Sequence, residues 1–228
     1  MRAPISVIIP TLDAEAPLRG SFAALMEGLE SGLIREVIVS DGGSTDGTLA
    51  IARAAGAEVV SGAPSRGEQI GRGIAAAEGD WLLVLHADSW PEPGWAPVVG
   101  AHLGTGAPGY FRLRFRARGM MPRVVAGWAN LRARGIGLPY GDQGLLIRRA
   151  ELAALGGYPD LPLMEDVALA RRLEGRLRGL DAAVETGAER YLAEGWLRRG
   201  ARNLGLLAAY LAGAAPERLA ARYRRKSG

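Results

Sequence analysis

The chain has 228 residues, 48% hydrophobic and 23% charged, enough for one sizeable core and too few for two full domains. It contains no cysteine, so disulfides and thiolate metal sites are excluded, which fits a reducing compartment. Its net charge of +4 is carried almost wholly by arginine; that suits a surface attracting phosphates or anionic lipids, or simply a solvated basic surface, and no nucleic-acid motif accompanies it.

The N-terminus, Met1-Arg-Ala-Pro, runs straight into a strand at Ile5–Pro10 and lacks the apolar core and cleavage site of a signal peptide. No apolar run approaches the roughly 20 residues that span a bilayer. A cytoplasmic chain is expected, with at most a peripheral contact at the inner membrane face. Ala14–Glu30 reads as a helix, with Leu18, Phe22, Leu25, Met26 and Leu29 near helical spacing. Glu36–Asp41 is a second strand. Thr45–Ala55 is a helix capped by Ser44 or Thr45. Ala57–Ser61 is a third strand, Arg66–Ala77 a helix and Trp81–Leu85 a fourth strand. Strands separated by helices imply right-handed crossovers and a parallel sheet.

The second half changes character. Gly109–Arg116 alternates Tyr110, Arg112, Arg114 and Arg116 against Phe111, Leu113 and Phe115, as an edge or half-buried strand does. Met121–Arg134 reads as a helix, Gly144–Ile147 as a short strand, Glu165–Leu173 as a helix and Ala182–Glu185 as a short strand. One long helical region is expected from Arg190 to Leu211, and a last helix after Pro216. No repeat or low-complexity linker interrupts the chain.

Chemistry concentrates where strands end. Leu82-Leu-Val-Leu-His-Ala-Asp-Ser89 is an apolar run closing in His86 and Asp88, whose alternation places both side chains on one face. Ligands bind beyond the carboxyl ends of such strands. A hard divalent ion takes one or two carboxylates with substrate phosphates and water, while imidazole suits Mn²⁺ better; Asp88 as a helix cap and His86 as a packed ring is the plainer reading. Pro10-Thr11-Leu12 ends the first strand, and Ser40-Asp41-Gly42-Gly43-Ser44 ends the second, with Asp41 able to bind a base or ribose. Neither a G-x-G-x-x-G fingerprint nor a P-loop occurs. Glu165 and Asp166 open a helix, where the macrodipole favours carboxylates; one could face an acceptor hydroxyl as general base while the other orients it. The Gly-rich stretch Gly135–Arg149 presents Asp142 and Gln143, either as a binding loop or as an ordinary turn.

Taken in order, Val7-Ile-Ile-Pro-Thr-Leu12, Glu36-Val-Ile-Val-Ser-Asp-Gly-Gly-Ser-Thr-Asp-Gly-Thr48, Leu85-His-Ala-Asp-Ser89, Gly141-Asp-Gln-Gly144 and Met164-Glu-Asp166 resemble family 2 glycosyltransferases of the GT-A fold. The match runs from Ser6 to the last helix and is most like the bacterial branch associated with radical SAM and selenium-related domains. The resemblance implies an α/β fold, with a Rossmann-like, mostly parallel sheet flanked by helices and a helical C-terminal extension. It implies a nucleotide-binding half over 1–105, an acceptor and catalytic half over 106–188, and C-terminal helices over 189–228. It further implies an inverting transferase using a nucleotide-diphosphate sugar with Mg²⁺ or Mn²⁺. Thr11 and Asp41 would hold the nucleoside, and Arg66 and Gln69 would flank the nucleotide. Asp142 and Gln143 would serve the donor, and Arg190 would meet the diphosphate. Asp88, with His86, would hold the metal, and Asp166, beside Glu165, would be the base. Three positions depart from the pattern: His86 stands where the wider family has a carboxylate, Gly71 where near relatives have asparagine, and Glu68 where they have a basic residue.

Leu204–Ala212 is apolar and flanked by Arg198, Arg199, Arg202, Arg218, Arg222, Arg224 and Arg225. It either lies on a bilayer and meets a lipid-linked acceptor, or packs on the sheet or in a homodimer; packing is favoured. Two other functions compete with transfer. A nucleotidyltransferase would need a basic, Gly-rich first loop, whereas Thr11-Leu-Asp-Ala-Glu-Ala16 is acidic. A non-catalytic nucleotide-sugar-binding protein is favoured only by His86.

Overall fold

Four apolar segments, Ile5–Thr11 (β1), Ile34–Asp41 (β2), Glu58–Ser61 (β3) and Trp81–Val84 (β4), pair in parallel in the order β3-β2-β1-β4. β1 and β4 are buried on both faces, which is why they read as continuous apolar runs: Val7 and Ile9 enter one core, and Ile8 the other. The helices between them are Glu15–Glu30 (α1), Thr48–Ala54 (α2) and Arg66–Ala76 (α3). The computed structural model describes residues 3–173 and 175–224, so Arg225 lies outside it.

The start of α2 corrects the expected cap. Asp41 captures the Ser44 hydroxyl at 2.5 Å, and Thr45 N–H donates to Asp13 Oδ1 at 2.8 Å. These bonds hold the chain in a loop for three more residues, so the helix begins only at Thr48. There Asp46 Oδ1 accepts the Thr48 N–H at 2.9 Å.

The second half contributes Trp90–Pro91 (β5), Trp95–Leu103 (α4), Gly109–Phe115 (β6), Met120–Ile136 (α5), Leu145–Arg148 (β7), Arg149–Ala154 (α6), Glu165–Arg172 (α7) and Arg178–Thr186 (β8). The sheet continues β4-β7-β6-β8-β5. β7 is antiparallel to β4 and to β6, β8 is parallel to β6, and β5 is antiparallel to β8. β6 is therefore an interior strand rather than an edge, and its alternation reflects one packed face: Phe111, Leu113 and Phe115 are buried, whereas Arg112 and Arg114 are exposed.

β5, α4 and α6 have no counterpart among the expected elements. Pro97 and Gly100 disguise α4, although proline is tolerated in a first helical turn. Trp95 anchors that helix: its indole N–H donates to Ala24 O at 3.0 Å, and the ring lies where a Cβ on Gly28 would come within 2.6 Å. The C-terminal region is not one helix. Gly195, at φ 88°, separates Glu189–Glu194 (α8) from Trp196–Leu211 (α9), and Pro216–Arg224 (α10) follows. α9 packs against α5 and buries Arg199, Leu206 and Leu207. Among the described residues, no helix is long and apolar enough to cross a membrane.

Candidate active site

Because β1 and β2 are in register, Thr11 opposite Asp41, their polar ends emerge together, and the loop after β4 emerges beside them. A cavity of about 610 Å³ opens at this edge. Its walls are the end of β1, the first turn of α3, the loop His86–Asp88, the turn Gly141–Asp142, the start of α7, the segment after β8, and α9 and α10.

Of the residues singled out in the sequence, Thr11, Arg66, Gln69, His86, Asp88, Asp142, Glu165, Asp166 and Arg190 line this one cavity. Asp41 and Gln143 do not. Asp41 is buried, and its carboxylate accepts bonds from the Thr11 and Ser44 hydroxyls and from the Gly43 and Ser44 amides. Burial opposes its charge, but these donors outweigh it and hold the pKa below the ordinary value. Gln143 is fully buried. Its Nε2 donates to Phe111 O at 3.1 Å, and its Oε1 accepts the Tyr140 N–H at 3.3 Å. Gln69 lines the cavity yet is also a clamp, donating to Thr11 O at 2.7 Å and Ser40 O at 3.1 Å across the ends of β1 and β2.

The His86–Asp88 loop is held from two sides. Ser21 donates to Ala87 O at 2.7 Å, and Arg116 Nη1 donates to Asp88 O and Glu185 O, both at 2.7 Å. Arg116 also lies 3.5 Å over the Trp90 ring, so the last arginine of the alternating strand fixes the backbone of Asp88. Burial, with Arg66 and Arg190 nearby, presses the His86 pKa down to about 3, which leaves the imidazole neutral at physiological pH.

Opposite them, Met164 takes a left-handed conformation at φ 66° just before Glu165 and Asp166. Asp13, at φ 47°, is the other non-glycine residue in that region among the described residues. Both line the cavity, and such strain collects at functional sites. Asp166 accepts the Gly141 N–H at 2.6 Å and the Val167 N–H at 2.7 Å. Glu165 is 2% exposed and lies 3.7 Å from Arg66; burial, then the neighbouring Asp166, raises its pKa against the opposing pull of Arg66. Asp142 is pushed up to about 6 by burial, with Asp166 and Asp88 adding and Arg132 opposing, and its Oδ1 has no hydrogen-bond partner.

These groups fit a divalent cation. Asp88 offers carboxylate oxygen and His86 a neutral ring nitrogen, both on the same cavity. Among the described residues, no group of three His, Asp or Glu is placed to hold an ion, so a ligand's phosphates and water must complete the coordination, as is usual for such ions.

Of Glu189-Arg-Tyr191 the resemblance singled out Arg190 alone, and sequence reasoning missed Arg199, Asn203 and Tyr223; together with Glu189 and Tyr191 these close the cavity. Arg199 and Arg190 donate to Tyr223 Oη at 2.9 and 3.3 Å, and Asn203 donates to Tyr191 Oη at 3.2 Å. The signal was present: Arg199, Asn203 and Leu206 share one helix face at spacings of four and three.

Residues 6–124 match the family model for glycosyl transferase family 2. The chain is 39% identical over 112 residues to the glucosyl-3-phosphoglycerate synthase of Mycolicibacterium paratuberculosis, covering 45% of this chain and 34% of that one. With the same enzyme of Mycolicibacterium smegmatis it is 34% identical over 133 residues, 50% of this chain and 43% of the other. The chain thus spans less than half the length of these curated relatives. The crystal structure of the Mycobacterium tuberculosis synthase with Mn²⁺, UDP and glucosyl-3-phosphoglycerate superposes with a TM-score of 0.56 at 26% identity, covering 81% of this chain and 70% of that one. Residues 1–349 of Staphylococcus aureus TarS share the fold, with a TM-score of 0.63 at 18% identity over 93% and 66% of the two chains. The architecture is the GT-A α/β fold that the resemblance implied.

Proposed function

The chain belongs to glycosyl transferase family 2, and from that premise we propose that it moves a sugar from a nucleoside diphosphate donor to an acceptor hydroxyl, with inversion at the anomeric carbon. The observation that carries this reading is that Asp88 and Asp166, remote in sequence, line one cavity. The synthase of Mycobacterium tuberculosis, with Mn²⁺ and UDP bound, supports the donor class.

Asp88 and His86 would hold Mn²⁺ or Mg²⁺, which supplies positive charge against the diphosphate. Arg66 and Arg190 add fixed cations on the same side, where charge grows as the leaving group departs. Thr11 and Gln69 border the nucleoside, while Asp41 and Gln143 act from behind the wall by fixing the loop and turn that shape it. Asp142, with its unpartnered oxygen, serves the sugar hydroxyls. Asp166 takes the proton of the acceptor hydroxyl as that oxygen attacks the anomeric carbon opposite the diphosphate. The bond from carbon to the phosphate oxygen breaks in the same displacement, so no covalent sugar–enzyme intermediate forms. Glu165, paired with Arg66, orients the start of α7.

Calorimetry with UDP, with and without MnCl₂, followed by turnover of UDP-glucose, tests the reading. UDP should bind more tightly with Mn²⁺, and Asp88→Ala should lose that gain. Asp166→Ala should bind UDP yet fail to turn over. Absence of binding by any nucleoside diphosphate, with either metal, would reject the proposal.

A further inference from the structure

α5 is built the wrong way round for a surface helix. Its buried positions are small or polar: Pro122, Ala126, Ala129, Arg132 and Ala133. Apart from Met121 and Val125, which are half-buried, its large apolar residues point out, with Met120 78%, Val124 53%, Trp128 51% and Leu131 61% exposed. Their spacings of four, four and three place them on one face. The helix cannot roll to hide them. Asn130 accepts the Leu113 N–H at 2.8 Å and donates to Leu113 O at 3.1 Å, which locks α5 to β6. A contiguous exposed apolar surface of this kind marks an interaction site.

The charge around it is one-sided. From Pro93 to Gly141 the sequence has seven arginines and no Asp or Glu. Arg118, Arg123 and Arg134, beside and along α5, are exposed, and none makes an ion pair among the described residues; Arg112 and Arg114, by contrast, pair with Asp181 and Glu92. A two-fold contact between copies of this chain would set this arginine-bearing, acid-free helix against itself, arginine toward arginine, with no carboxylate of its own to neutralise it. A surface that is apolar below and anionic above fits both features.

We propose that the outer face of α5 docks on an anionic membrane surface, with Met120, Val124, Trp128 and Leu131 entering the headgroup boundary and Arg118, Arg123 and Arg134 meeting lipid phosphates. Tryptophan suits that boundary, where one end of the ring is apolar and the other wet. The contact is peripheral and independent of sugar transfer.

Co-sedimentation of the full chain with phosphatidylcholine vesicles, with and without phosphatidylglycerol, tests this. The chain should bind the anionic vesicles and largely ignore the neutral ones. The double substitution Trp128→Gln with Leu131→Gln should weaken binding by about tenfold or more, as loss of buried apolar area requires. Arg123→Glu with Arg134→Glu should abolish the preference for phosphatidylglycerol. Both arginines are exposed and neither makes a hydrogen bond or an ion pair among the described residues, so that pair decides the matter even if the first pair unfolds, which circular dichroism would show. Failure of the wild type to bind anionic vesicles overturns the proposal. So does a dimer, seen by analytical ultracentrifugation, that the glutamine pair dissociates while vesicles are ignored; the face would then belong to a second copy.

Discussion

The two walls of the cavity use their polar groups in opposite ways. On the wall made by β1, β2 and α3, they are spent on one another: Asp41 accepts four bonds, and Gln69 bridges two carbonyls. On the wall made by the Gly141 turn and α7, carboxyls are buried at a cost. Glu165 and Asp142 are both raised above the carboxylate range, and an Asp142 oxygen has no partner. A satisfied network holds shape, whereas groups kept in an unfavourable state are held for a ligand or a reaction. One wall is thus a mould, and the other is where the proposed mechanism would move protons and charge.

Substitutions can break that contrast. The largest effect is expected at Asp166. Asp166→Ala should lower kcat by about a thousandfold, the usual worth of a general base, while calorimetric UDP affinity stays near wild type. An equal loss of UDP affinity would return Asp166 to the mould. Next comes Asp41→Ala, a mould residue. It strands four donors and should cost about 2–4 kcal/mol in urea unfolding, with KM changing more than kcat. Its donors hold the carboxyl below its ordinary value, so this contribution is complete above the unfolded pKa of about 4 and is lost as pH falls through the lower folded value. A penalty that stayed constant down to strongly acid pH would show that Asp41 acts by packing alone.

The mould was far more legible in the sequence than the reactive wall. β1 and β4 announce themselves because a parallel strand buried on both faces reads as an apolar run, and the ends of β1 to β4 fall within a residue or two of expectation. Asp41 was legible as an important residue, but its bonds to Ser44 and the Gly43 amide were not, since they depend on a loop conformation that no periodicity records. On the other side, α4 hid behind Pro97 and Gly100, and β8 was seen only as Ala182–Glu185 because Arg178 and Asp181 are exposed. The turn around Gly195 was invisible inside a run with good helical spacing. The helical spacing of Arg199, Asn203 and Leu206 marks one shared face, but that the face turns back over the cavity with Tyr223 depends on that turn and is not written in the spacing. The Glu165–Asp166 pair was found as a motif, but its burial and the strained Met164 before it are tertiary facts.

A smaller effect sharpens the comparison from the reactive side. Asp142 has a folded pKa of about 6, above the value of about 3.9 for the unfolded chain, so ionising it destabilises the fold. The stability it contributes is complete below about pH 4 and is lost as pH rises through about 6. Asp142→Asn removes the charge, and should raise unfolding stability by about 1–3 kcal/mol at about pH 8 and change it little at about pH 4. The same variant should slow transfer if its oxygen serves the donor sugar. A gain in stability paired with a loss in rate is the signature of a strained functional group.

The smallest effect tests the seam between the walls, at Gly187. A Cβ there would lie 2.3 Å from Glu189 Oε2 and 3.3 Å from Asp88 Oδ2. The backbone at Gly187 needs no left-handed conformation, and the closest atom is the mobile end of a glutamate. Gly187→Ala should therefore unfold within about 0.5 kcal/mol of wild type. Its consequence should be chemical: a displaced Glu189 carboxylate changes the charge facing Asp88, and a methyl group narrows the space where, on the proposed function, the cation and diphosphate would meet. The Mn²⁺-dependent part of UDP affinity should fall about threefold, roughly 0.7 kcal/mol, while the Mn²⁺-independent part is unchanged. An equal fall in both parts would mean that the glycine shapes the nucleotide pocket rather than the metal's surroundings, and the seam would belong to the mould.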